Sequence, residues 1–153
     1  MKRVAVLFCW MIVFCPVLVL SQINQTMPLE KFKAEVLQSK KEIWVIDFWA
    51  SWCGPCIRTL PQLHNLYEKY ANQGVKFISI SHDQNPEAWK KAVEKYNMDW
   101  NQILLLKPDS FLTTQFPHSF IPALFLIDKT GKVKSIDDMS ILESELKNAT
   151  GKQ

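Results

Sequence analysis

The sequence predicts an α/β sandwich built on a mixed β-sheet, and three observations carry that prediction. Residues 43–50 and 75–81 are nearly continuous apolar runs rich in β-branched and aromatic side chains. Such runs read as strands buried on both faces, because helices cover both sides of their sheet. Between them lies a long amphipathic helical repeat, which suits the crossover that joins parallel strands. Two further runs, 123–128 and 132–137, flank Lys129-Thr130-Gly131, which reads as a hairpin turn.

The elements follow in order. Residues 28–39 place Leu29, Phe32, Val36 and Leu37 at helical spacing, with Pro28 suited to a first helical turn. In the strand at 43–50, Asp47 is the one acidic interruption. From Gly54 onward Ile57, Leu60, Leu63, Leu66, Tyr67 and Tyr70 repeat with helical spacing toward a C-cap at Gly74, and Pro61 is expected to kink that helix. A second strand, 75–81, precedes a helix over 86–97 with Ala88, Trp89, Ala92, Val93 and Tyr96 on one side. Residues 103–106 read as a strand or a buried loop, and 109–115 as a short helix. A last helix covers 140–148. The order β-α-β-α-β-β-α makes one α/β unit, with no internal repeat and no linker rich in Gly or Ser.

The composition bounds the function. The chain has 153 residues, 18 basic and 15 acidic, a formal net charge of +3. That balance carries no nucleic-acid signature. An apolar fraction of 48% excludes a disordered chain, and four cysteines are too few for a disulfide-stapled miniprotein. Residues 1–21 distort these averages. Lys2 and Arg3 are followed by an uncharged apolar stretch, 4–20, and then Ser21. A basic start, an apolar run and a small-residue exit predict a signal peptide over 1–21, with a short membrane anchor through 4–20 as the alternative. A span needs about 20 apolar residues, and Pro16 interrupts this one. The remaining 22–153 form the predicted domain. Loss of Lys2 and Arg3 leaves 16 basic against 15 acidic residues, and of the four cysteines only Cys53 and Cys56 remain. Their compartment would be one where disulfides persist.

Trp52-Cys53-Gly54-Pro55-Cys56 falls where a buried strand passes into a helix. That placement favours thiol chemistry. At a helix N-terminus, free backbone N–H groups and the helix dipole stabilise a thiolate. An ordinary thiol titrates near about 8.5, so a lower value supplies more nucleophile at neutral pH. Cys56, one turn on, is placed to resolve a mixed disulfide and is expected to be the more buried. Gly54 permits a tight turn, and Pro55 needs no N–H partner. The implied reaction is attack by Cys53 on a disulfide, followed by attack of Cys56 on the mixed disulfide.

Asp47-Phe48-Trp49-Ala50, the Trp52–Cys56 box, Pro61 and Ile121-Pro122 resemble thioredoxin. The leader and the added helix and apolar run before Pro122 make the chain look more like the secreted TlpA/ResA-like thiol–disulfide oxidoreductases. The resemblance covers about residues 28–150 and implies a thioredoxin-like three-layer α/β/α sandwich with a mixed central sheet. It implies Cys53 as nucleophile and Cys56 as resolving thiol. Pro122 is then in cis opposite the disulfide, with the backbone of Ile121 free to pair with a substrate strand. Asp47 matches the buried acid of thioredoxin; buried without a partner, it should titrate high and exchange a proton with Cys56. Trp49 and Trp52 should shape the surface around the thiols. Where thioredoxin pairs that acid with a lysine this chain has Ser79, and where ResA-like proteins often carry a glutamate it has His82. The resemblance further implies an exported, periplasmic or extracytoplasmic monomer that reduces protein disulfides, with cytochrome c maturation as a setting. It would need no cofactor beyond the Cys53–Cys56 pair and would draw electrons from a membrane partner.

Other readings of the same residues stand beside these. The pair could be half of a zinc site, but structural zinc needs four ligands and His64, His82 and His118 show no ligand spacing. It could be a structural staple in an exported binding module, although so short a loop restrains the unfolded chain little. A disulfide oxidase or isomerase would use the same two thiols. Trp89 and Trp100 read as packing residues, His82 as a solvated loop residue, and Lys90, Lys91 and Lys95 as a solvated helix face. Residues 24–26 and 148–150 match glycosylation sequons, a short pattern that also arises by chance.

Overall fold

A computed structural model describes residues 26–38 and 41–151. The leader expected over 1–21 and the sequon at 24–26 lie wholly or partly outside them. The chain runs α1 (Leu29–Gln38), β1 (Ile43–Trp49), α2 (Gly54–Tyr70), β2 (Val75–Ser81), α3 (Pro86–Lys95), β3 (Asn101–Leu104), α4 (Ser110–Gln115), β4 (Ala123–Ile127), β5 (Val133–Ile136) and α5 (Met139–Thr150). The strands form one sheet in the order β3-β2-β1-β4-β5. β1, β2 and β3 are parallel, and β4 and β5 run antiparallel to their neighbours. The mixed sheet is therefore present, with β1 at its centre.

The alternation of β1 divides the core. Val45 and Trp49 pack with Cys53, Cys56, Leu60 and Leu63 of the α2 layer, where α3 and α5 add Val93 and Leu142. Trp44, Ile46 and Phe48 pack on the other face against Phe32 of α1 and Leu112 of α4. All seven residues of β1 are buried, as a strand covered on both sides requires. Lys33 of α1 donates to Asp109 at 2.7 Å, and Asp109 caps α4 by accepting the Leu112 N–H at 3.0 Å. That ion pair holds the Asp109 carboxyl below its ordinary range.

Several boundaries differ from the sequence reading, each for a local reason. Pro28 lies before α1, where its carbonyl accepts the Phe32 N–H at 3.1 Å. The α-helix α2 stops at Tyr70, and a 3₁₀ turn over Ala71–Gln73 leads to Gly74, at φ 83°. Pro61 lies inside α2 without dividing it. Asn97, at φ 48°, ends the α3 region two residues beyond the helix proper. β3 begins two residues before the apolar run, because Asn101 and Gln102 pair with Ile78 and Ser79. α5 begins at Met139, because Asp138 accepts the N–H groups of Ser140 and Ile141. The hairpin turn is as expected: Gly131 sits at φ 84° and donates to the Asp128 carbonyl at 2.9 Å.

Candidate active site

The strand β1 ends at Trp49, the chain turns through 50–53, and α2 starts at Gly54. Cys53 is the N-cap of α2, with φ −82° and ψ 95°, and its Sγ accepts the Cys56 N–H at 3.2 Å. The sulfur thus occupies the anion position at a helix start, where backbone donors and the dipole favour negative charge. Cys53 and Cys56 are joined in a disulfide. Cys53 is 5% exposed and Cys56 1%. Cys56 is the more buried of the two, as the sequence predicts.

Gly54 and Pro55 are exposed at the first two positions of the helix. Gly54 does not adopt a positive φ, and a Cβ there would meet only the end of Arg58, at 3.7 Å. The expected tight turn does not need glycine at this position, because residue 54 is already helical. Trp52 is 67% exposed beside the pair, whereas Trp49 is fully buried. Only Trp52 shapes the surface around the sulfurs. Trp49 faces inward because it ends a strand covered on both sides.

The Ile121–Pro122 bond is cis. Ile121 is half-buried between the two core clusters, immediately before β4. Phe120 just ahead of it is 78% exposed. No periodicity marks Phe120, since it lies in an irregular segment.

Asp47 alternates with Val45 and Trp49 and so points to the α2 face that carries Cys56. It is buried, and its carboxyl is pushed up to about 7 by loss of solvent, an effect partly countered by the Ser79 hydroxyl. Ser79 Oγ donates to Asp47 Oδ2 at 2.9 Å. The acid, expected without a partner, therefore has one in Ser79, at the place where thioredoxin carries its lysine, yet desolvation outweighs it. Trp100 in turn donates its Nε1–H to Ser79 Oγ at 2.8 Å. Trp100 is buried as expected, but it has a polar task as well as a packing one.

Asp83 also escaped the sequence reading. It is 1% exposed and accepts from the Ser51 N–H at 2.8 Å, the Ser51 hydroxyl at 2.6 Å and the Ser81 hydroxyl at 2.7 Å. It ties the approach to Trp52-Cys53 to the end of β2. An Asp beside a Ser-containing strand end is too common a pattern to signal this clamp.

His82 is half-buried rather than a solvated loop residue. Its Nε2 lies 3.2 Å from Nε2 of His118. The His118 Nδ1 lies 2.7 Å from the Phe116 carbonyl, a geometry for donation, so in the neutral pair His82 donates and His118 accepts. Burial, then the His118 charge, lower the His82 pKa. Both rings lie on Phe48, on the sheet face opposite Asp47. They line a cavity of about 150 Å³ with Gln84, Leu105 and Lys107. The separation of 36 residues in sequence hid this pairing.

A thioredoxin-like family model matches residues 41–133. The chain belongs to the thioredoxin-like family, among its thiol–disulfide oxidoreductases. It is 32% identical over 126 residues to the thiol–disulfide oxidoreductase ResA of Bacillus thuringiensis subsp. konkukian, covering 80% of this chain and 72% of that one. It is 33% identical over 105 residues to a ResA of Bacillus cereus, covering 69% of this chain and 60% of that one. Thus the match spans between three fifths and three quarters of these relatives' length. Among solved structures, a thiol–disulfide oxidoreductase from Bacteroides fragilis superposes with a TM-score of 0.63 at 28% identity, over 70% of this chain and 80% of that one. The thioredoxin domain of an oxidoreductase from Bacteroides vulgatus does so with a TM-score of 0.63 at 25% identity, over 72% and 81%. The three-layer α/β/α fold and the thioredoxin resemblance both hold.

Proposed function

We propose that this protein is an exported reductase of protein disulfides that works by dithiol exchange through Cys53 and Cys56. The observation that carries the reading is the position of Cys53. Its sulfur caps α2 and receives the Cys56 N–H at 3.2 Å, a site that stabilises a thiolate.

The reaction balances in two steps. In the reduced protein the Cys53 thiolate attacks one sulfur of the substrate disulfide. That S–S bond breaks, a mixed disulfide forms on Cys53, and one substrate thiol leaves after taking a proton. Asp47, as carboxylate, takes the proton of the Cys56 thiol. The Cys56 thiolate attacks Cys53 Sγ, the mixed disulfide breaks, and the second substrate sulfur departs as a thiol with the proton that Asp47 gives up. The substrate gains two electrons and the protein ends as its Cys53–Cys56 disulfide. A carboxyl that titrates near neutrality is suited to this transfer in both directions.

The backbone of Ile121 offers pairing to an extended substrate segment, and exposed Trp52 and Phe120 offer it apolar contacts. Export rests on the leader reading of 1–21. Outside the cytoplasm the disulfide would accumulate, so a dithiol donor at the membrane returns the electrons. The reducing direction rests on the Gly54-Pro55 dipeptide and on the likeness to ResA-type relatives, with cytochrome c maturation as the setting.

The test is turnover of insulin disulfides by the reduced protein. Wild type should reduce insulin, Cys53→Ser should fall to background, and Cys56→Ser should accumulate a mixed disulfide on Cys53. Equal rates for wild type and Cys53→Ser would overturn the reading. Equilibration against glutathione decides the direction: a strongly oxidising potential would make the protein an oxidase instead.

A further inference from the structure

We propose that Trp100 is a positioning residue for the thiol chemistry: through Ser79 it sets which oxygen of the buried Asp47 carboxyl carries the exchangeable proton. This rests on the reading of Asp47 as the proton carrier and adds to it a relay that spans three elements.

The chemistry of the donors determines the relay. Asp47 and Ser79 are register partners on the central strands β1 and β2. Ser79 is fully buried and Asp47 nearly so. An indole N–H can only donate. Trp100 Nε1, 2.8 Å from Ser79 Oγ, therefore makes that oxygen an acceptor. A serine hydroxyl has one proton, and Trp100 cannot receive it. The proton is directed at Asp47 Oδ2, 2.9 Å away. With Oδ2 already facing a donated O–H, a proton taken up by Asp47 belongs on Oδ1. The indole N–H on Ser79 Oγ thus favours the hydroxyl as a donor to the Asp47 carboxyl.

The indole is held in turn from the helix that carries the thiols. Its ring lies 5.3 Å from the Tyr67 ring and 5.9 Å from the His64 ring, both on α2. Two other buried indoles, Trp49 and Trp89, leave their N–H groups without a protein partner among the described residues. Capture of a side-chain hydroxyl is therefore not the automatic fate of a buried tryptophan in this core. Around the relay, His64 and Tyr67 of α2 lie against the indole, apolar Leu124 of β4 is the register partner of Asp47, and buried Gln102 of β3 is that of Ser79. The Gln102 amide donates to the Trp100 carbonyl at 3.2 Å, and its Oε1 has no partner among the described residues. Among the described residues no charged side chain acts on Asp47; burial and Ser79 are the two influences. A neutral hydroxyl locked by an indole thus stands where thioredoxin pairs its acid with a lysine.

The test reads Asp47 directly, by carboxyl carbon-13 NMR titration of the oxidised protein. Ser79→Ala and Trp100→Phe should each raise the Asp47 midpoint by about half to one pH unit, the worth of one hydrogen bond. Added to Ser79→Ala, Trp100→Phe should move it no further, and Ser79→Thr, which keeps the hydroxyl, should restore it. An unmoved midpoint in Trp100→Phe, or an equal shift with and without the Ser79 hydroxyl, would overturn the relay. A readout independent of any core truncation is the Trp100 indole N–H resonance of the unsubstituted protein. It should titrate with the Asp47 midpoint and become flat in Asp47→Asn; a flat resonance in the unsubstituted protein also overturns the proposal. Neither measurement needs turnover, so a failed insulin assay and a failed relay are separate results.

Discussion

At Asp47 two ordinary forces compete and their sizes decide the chemistry. A carboxyl removed from water loses the solvation that stabilises its charge, and one hydroxyl donor returns only part of it. The result is a midpoint of about 7 against the usual 3.8. Folding therefore retains a proton on Asp47 across that window, which the unfolded chain has released. Stability should fall as pH rises from about 3.8 to about 7 and level off above it. Asp47→Asn, which keeps an acceptor for Ser79 and removes the charge, should be more stable than wild type at pH 8 by at most about 4 kcal/mol. The gain should vanish near pH 4. Urea unfolding of the oxidised proteins at the two pH values measures this, and a gain that is larger in acid contradicts it. If Asp47 is the proposed base, the same substitution should slow resolution by Cys56 at least about tenfold near neutrality.

At the scale of elements, the redox loop depends on what anchors its approach. Ser51 precedes Trp52-Cys53, and both its backbone N–H and its hydroxyl end on Asp83. The loop is therefore held to the end of β2 at its start and to the first turn of α2 at its close. Asp83→Ala leaves the Ser51 donors without their buried acceptor, at a cost of about 1–3 kcal/mol. Urea unfolding should show that loss, and the Ser51 amide should exchange with solvent faster than in wild type. Asp83→Asn keeps one acceptor oxygen and should lose less. Identical exchange in all three proteins would show that the loop does not rely on this clamp.

At the scale of the molecule, the sheet separates two cores. Leu142 lies on the α2 side and Phe116 on the α1 side, both fully buried. Leu142→Ala should cost about 2–5 kcal/mol and Phe116→Ala about 3–5 kcal/mol. The double variant should be additive within about 0.5 kcal/mol, because the two cavities open on opposite faces of the sheet. Strong coupling between them in urea unfolding would contradict two independent layers. Only the α2-side cavity lies on the redox face, so Leu142→Ala is the variant expected to disturb thiol exchange.

Period and spacing alone place the two buried layers and the cysteine pair. Continuous apolar runs mark strands covered on both faces, and helical periodicity marks the crossovers. The C-x-x-C pair at a strand-to-helix junction marks the thiol site, because these are local consequences of period and spacing. Asp47 was legible for the same reason, as the one acid in a buried strand. The tertiary structure alone decided who surrounds those groups. The resemblance already put Ser79 where the acid's partner belongs; parallel pairing of β1 with β2 turns that place into a hydrogen bond, and the turn before β3 brings Trp100 onto Ser79. The end of β2 brings Asp83 to Ser51 and His82 to His118. These partners are separated by 21 to 36 residues along the chain. Hydrogen bonds over such separations follow from strand order and register, and no local pattern encodes them.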